Sequence, residues 1–176
     1  AMFEANAFYS KAAHGILFGY FRASRTDPGP NLPGQTIFTC LSHDIIAHET
    51  THAIVDGIRE YFTEPTNVDV AAFHEAFADI SALFSHFAHE DVLLDALQKT
   101  GGRLFDVTYA PDAASGNGVA VVQAQKRAEN PLVYLAMQFG QASGMHAGLR
   151  SALQTEPNQT DILTKSEPHE RGSILV

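Results

Sequence analysis

Five consecutive residues constrain this chain more than any others. His48-Glu49-Thr50-Thr51-His52, inside the run from Ser42 to Asp56, fits the H-E-x-x-H pattern. Positions four apart share one face of a helix, so a helical run would let the imidazoles of His48 and His52 converge on a single ion. Glu49 follows the first imidazole by one residue and is rotated around the helix axis. It reaches a water beside the ion without ligating the ion itself. Ser42 is a good N-cap and Gly57 a good stop, so a helix is expected over about 42–57.

A catalytic zinc takes three protein ligands and keeps one position for water. The run from Asp69 to Phe84 has apolar residues at helical intervals, with Asn67 or Asp69 to cap it. Within it, Glu75 and Asp79 are four apart and share a face. Glu75 supplies the third ligand, and Asp79 accepts the outward N–H of a ligating histidine, His48, which fixes its tautomer and ring direction. Carboxylates on so apolar a helix are costly to bury without a cation or a donor. The competing reading is a pair of solvated charges on an amphipathic helix.

The pairing of His48-Glu49-Thr50-Thr51-His52 with Glu75-Ala76-Phe77-Ala78-Asp79 resembles the thermolysin-type metallopeptidases, the gluzincin clan, whose second motif reads N-E-x-x-x-D. His74 stands where that family has Asn, a departure that leaves the ligand untouched. The resemblance implies a zincin-like α+β domain with zinc on His48, His52 and Glu75, and it places Asp56 as a support for the second histidine. It also implies an acid ahead of the zinc helix in a calcium cluster, matched by Asp44. The family's Glu eleven residues beyond the third ligand is here His86, so calcium is left open.

Other parts of the chain extend the resemblance. Asn6-Ala7-Phe8-Tyr9 is similar to the family's edge strand, which lends main-chain groups and the Asn side chain to an extended peptide by β-augmentation. Arg150, in Leu149-Arg150-Ser151, is similar to an Arg that grips the substrate carbonyl beyond the scissile bond, where a guanidinium fork suits a carbonyl acceptor. Its alternative is a surface arginine. Glu167-Pro168-His169-Glu170-Arg171-Gly172-Ser173 resembles the segment around the family's second catalytic histidine, which donates to the oxyanion. His169 takes that part, oriented by Glu167. Tyr61 is a candidate for the family's oxyanion-directed Tyr, or a packing residue.

The rest of the sequence sets bounds. The 176 residues suffice for one domain with a core, divided into a sheet-rich part (1–40), zinc-site helices (42–100) and a loop and helical part (101–176). Short aromatic and β-branched runs at 5–9, 15–21 and 36–40 read as strands. Residues 110–118 read as a flexible loop, and 119–140 as helical with a break before Pro131. A net charge of −9 argues against nucleic acid or an anionic lipid surface. No apolar run is long enough to span a membrane. Cys40, the only cysteine, reads as a small buried apolar side chain. His86 and His89, three apart, read as a helix end that is solvated or caps carbonyls, with a second transition-metal site as the alternative. Oligomeric state is left open. So is location, since the family is commonly exported but the N-terminus shows no basic region leading into an apolar stretch. The resemblance implies a further helical lobe beyond Val176, so the chain reads as the metal-bearing half of the catalytic domain.

The expected function is zinc-dependent cleavage of peptide bonds, with a peptide or protein as substrate. Its rivals are a silent zinc-binding or interaction domain that keeps the scaffold, and zinc hydrolysis of a non-peptide bond.

Overall fold

The computed structural model describes residues 2–59, 61, 62, 64, 66–99, 102, 109–111, 118–120, 132, 134–145, 148–151, 159–174 and 176. It is a mixed α+β arrangement with a small N-terminal sheet followed by helices. The sheet contains Met2–Phe3 (β1), Ala7–Ser10 (β2), Gly15–Arg22 (β3) and Thr36–Phe38 (β4). All four join through β3, whose aromatic and β-branched residues suit a pleated, half-buried surface. Along its first half β3 pairs antiparallel with β2, from Ser10↔Gly15 to Ala7↔Phe18. Further on it pairs parallel with β1 and antiparallel with β4.

Gly19 lets the chain before β2 come close. A Cβ there would stand 2.2 Å from the Glu4 carbonyl oxygen and 2.7 Å from that of Asn6. Buried Thr39 reinforces this contact. Its Oγ1 accepts from Gly19 N at 3.0 Å and lies 3.3 Å from the Asn6 carbonyl. The main chain of Asn6 is thereby fixed against β3.

A 3-10 turn over Thr39–Leu41 leads into His43–Ile58 (α1), so the last expected strand ends at Phe38 and Cys40, in the turn, is exposed rather than buried. Ser42 occupies the N-cap position, though its hydroxyl makes no capping bond, and the helix runs one residue past Gly57. Val68–Ser85 (α2) starts as its cap residue predicts, with Asn67 Oδ1 accepting from Val70 N at 2.9 Å. The buried positions of α2 are Ala72, Ala76, Ala78, Asp79 and Ala82. Small side chains there let α1 and a C-terminal helix approach closely. A 3-10 turn, His86–Ala88, joins α2 to Glu90–Lys99 (α3).

The C-terminal part departs from expectation. Within 110–118, Ala110 and Pro111 belong to Tyr109–Pro111 (β5), which pairs antiparallel with Gly118–Ala120 (β6). Helix was expected over 119–140, yet Val119 and Ala120 are in β6, and Tyr134–Leu135 (β7) pairs with Arg150–Ser151 (β8). Only Met137–Ala142 (α4) is helical among the described residues of that span. Buried Tyr134 and Leu135 gain a cross-strand partner, and Pro131 just ahead of them denies a helix one of its donors. Residues 121–130 lie outside the described ones. Two short helices close the chain, Gln159–Thr164 (α5) and Pro168–Gly172 (α6).

A core of Phe21, Ala23, Ile37 and Ala142 joins the sheet to α4, with the Phe139 ring tilted against Phe21 at 4.8 Å between ring centroids. Among the described residues no helix is long and apolar enough to cross a membrane.

Candidate metal centre

The two buried residues of α1 are both polar: His48 and Glu49. Burying them requires partners, and each has one. Asp79, also buried, lies with Oδ1 2.8 Å from His48 Nδ1. A carboxylate only accepts, so Nδ1 donates, and in the neutral ring Nε2 is left with its lone pair. That lone pair faces the rest of the cluster. His48 Nε2 is 3.1 Å from His52 Nε2 and 3.2 Å from Glu75 Oε2, and His52 Nε2 is 3.6 Å from Glu75 Oε1.

One ligand atom from each of His48, His52 and Glu75 fits within a 4.8 Å spread, so the group can hold a metal ion. An ion about 2.05 Å from each donor in tetrahedral geometry separates its ligands by about 3.3 Å. The observed spacings bracket that value. The clearest sign is Glu75 Oε2, which is buried and makes no hydrogen bond. Two ring nitrogens nevertheless stand 3.0 and 3.2 Å from it. Such crowding without hydrogen-bond alignment suits donors aimed at a common point.

Electrostatics separates the two glutamates. Burial pushes Glu49 above the usual carboxylate range, and the neighbouring imidazoles of His48 and His52 and the Tyr9 N–H oppose the shift only in part. Burial acts on Glu75 in the same direction, but the imidazoles of His169, His48 and His52 around it prevail and hold it well below the usual range. One carboxylate is thus a base with a raised proton affinity, and the other a fixed anion.

Strand β2 flanks the cluster. Tyr9 N donates to Glu49 Oε2 at 2.9 Å, and Ala7 N to Asn6 Oδ1 at 2.9 Å. These N–H groups, two residues apart, point away from β3, so this edge of β2 faces the cleft. The strand is tied to α1 through Asp56, which accepts from Tyr9 Oη at 2.7 Å and pairs with Lys11 Nζ at 3.1 Å. The Asp56 bond and burial raise the Tyr9 phenol.

Helix α6 brings the last residue to the site. Glu167 caps it by accepting from Glu170 N at 2.8 Å, with Pro168 in the first turn. Glu167 Oε1 also lies 2.8 Å from His169 Nδ1, and His169 Nε2 lies 3.0 Å from Glu75 Oε2. Burial would raise Glu167, but His169 and the N–H of Glu170 lower it. Gly172 sets the depth of this helix. A Cβ there would meet the Ala72 carbonyl oxygen at 2.7 Å and Ala76 N at 3.1 Å. Arg171 locks the other side, with Nε donating to Asp69 Oδ1 at 2.6 Å.

A cleft of about 530 Å3 opens beside His48 and Glu49, walled by Asn6, Ala7, Leu135, Phe139 and His169. A second hollow of about 470 Å3 lies on the side of His52, Glu75 and Tyr9.

His48, Glu49, His52, Glu75, Asp79, Asn6, Ala7 and His169 therefore meet in one place. The main chain of Arg150 lies in β8, paired with Leu135. Its side chain is outside the described part. Tyr61 is 67 % exposed in the connection between α1 and α2, and His74 bonds back to the Phe62 carbonyl there. Asp44 takes His86 Nε2 at 2.5 Å on Oδ1 and Ala136 N at 2.8 Å on Oδ2, so an imidazole and a main-chain N–H engage both oxygens of the acid considered for calcium. Tyr9, Lys11, Arg171 and Gly172 had no assigned part from sequence. Only the Glu167-Pro168 pair, a capping acid before a first-turn proline, signalled the helix that carries His169. Searched against family models, curated proteins and solved structures, the chain finds no match.

Proposed function

We propose that the chain is the metal-bearing part of a zinc-dependent endopeptidase of thermolysin type with a zincin-like fold. The observation that carries this reading is the convergence of His48, His52 and Glu75, with Glu49 held beside them by Tyr9 N. His48, His52 and Glu75 would hold zinc, which would supply Lewis acidity toward the scissile carbonyl and the attacking water. Glu49 takes the proton of that water and delivers it to the leaving amine, a task for which its burial-raised proton affinity suits it. His169 in its imidazolium form, with Nδ1–H held by Glu167, donates its Nε2–H to the oxygen on which negative charge develops. Asp79 keeps the His48 lone pair directed inward, and Asp56 anchors β2 to the helix that carries both imidazoles. The outer edge of β2 at Asn6 and Ala7 takes the peptide as an added strand, exchanging the local bond from Ala7 N to Asn6 Oδ1 for bonds to the peptide, and Arg150 receives a carbonyl beyond the cleavage point.

The test compares cleavage of a mixed peptide library by the zinc-loaded protein and by its Glu49→Gln variant. Cleavage by the wild type alone is expected. A zinc-loaded wild type as inactive as the variant would identify a zinc-binding or interaction domain instead.

A further inference from the structure

We propose that His43 and His89 form a second metal site, open to solvent, for a late first-row divalent ion such as Zn2+, Ni2+ or Cu2+. His43 opens α1 and His89 precedes α3, so their meeting is a product of the tertiary fold. The pair repeats the geometry of the buried one. Nε2 stands 3.3 Å from Nε2, against 3.1 Å for His48 and His52. Ring centroids are 4.9 Å apart at 90°, against 4.8 Å at 79°.

The hydrogen bonds around His43 assign its tautomer. Ser85 Oγ donates its single proton to the Ala82 carbonyl at 2.6 Å, so towards His43 Nδ1, 3.4 Å away, it accepts. Nδ1 then bears the proton and Nε2 the lone pair, directed at His89. A hydroxyl here does for His43 what Asp79 does for His48. The neighbouring His86 turns its Nε2 to Asp44 and is not a ligand through that atom. Among the described residues no carboxylate completes a third donor, so water fills the remaining positions. Imidazole ligands select Zn2+, Ni2+ and Cu2+ over Ca2+ or Mg2+, and two donors bind more weakly than three. An ion held here would link the starts of α1 and α3.

Zn2+ titration of the metal-free protein by calorimetry tests this, with His43→Gln/His89→Gln and His48→Gln/His52→Gln variants. The wild type is expected to bind in a tight and a weak step. The first variant should lose the weak step, by at least about tenfold in affinity, and keep the tight one. The second should do the reverse, so a failure of the buried centre reads separately. Cu2+ on the second variant should give an electron-spin resonance spectrum with two nitrogen ligands. A weak step unchanged in the first variant, or absent from the wild type, overturns the proposal.

Discussion

His169 Nε2 lies 3.0 Å from Glu75 Oε2, so a short C-terminal helix delivers an imidazole directly to the carboxylate of the His48–His52–Glu75 group, which could hold a metal ion. The approach depends on Gly172, which rests against the backbone of α2 at Ala72 and Ala76. Gly172→Ala would place a methyl carbon 2.7 Å from a carbonyl oxygen and lift α6 off α2. Overpacking of this kind costs about 1–3 kcal/mol, read from denaturant unfolding. The added methyl carbon would stand 3.4 Å from Glu75 Cβ, an ordinary van der Waals contact, so zinc content should be unchanged while kcat falls.

The bond between His48 Nδ1 and Asp79 Oδ1 sets the direction of the first ligand. Asp79→Asn keeps the shape but offers an amide that favours either tautomer. Zinc affinity, measured by competition with a chromophoric chelator, should fall about 10–100-fold. Equal affinities would mean that the helix alone orients the ring.

Glu49→Gln should retain zinc at full stoichiometry and lose about 10²–10⁴-fold in kcat, the range for a positioned general base. Metal content and peptide turnover are measured on the same sample.

The two glutamates should respond to pH with opposite signs in the metal-free protein. Glu49 has a folded pKa raised by burial, so its contribution favours the folded state below the unfolded value, about 4.3, and is lost as pH rises through the folded one. Glu75 is depressed by His169, His48 and His52 against the effect of burial. Its contribution is present above about 4.3 and lost as pH falls through the folded value. At pH 7, Glu49→Gln should therefore raise the Tm of the metal-free protein and Glu75→Gln should lower it. As the pH is brought down through the raised folded value toward about 4.3, the Glu49→Gln difference should shrink. Shifts of the same sign at pH 7 would contradict the assignment.

The buried centre was legible because its logic is local. Ligands four apart on one helix, and a carboxylate pair four apart on the next, follow from the helical period, as does the Asn67 cap. The partners that lock it were not legible, because they arise from tertiary contact. Nothing in Tyr9 says that its N–H will meet Glu49, nor in Gly172 that α2 will lie against it. The same cause misled the reading of 119–140, where pairing of Leu135 with Arg150 outweighed an apolar pattern that also suits a helix. Two histidines read as a helix end also diverged, His86 to Asp44 and His89 to His43.

X-ray absorption at the zinc edge, on protein purified without added chelator, tests the central claim most directly. The account predicts one zinc per chain with two nitrogen donors at about 2.0–2.1 Å and the remainder oxygen, and loss of that signal in both His52→Gln and Glu75→Gln. Zinc retained at full stoichiometry and unchanged coordination in those variants would contradict it.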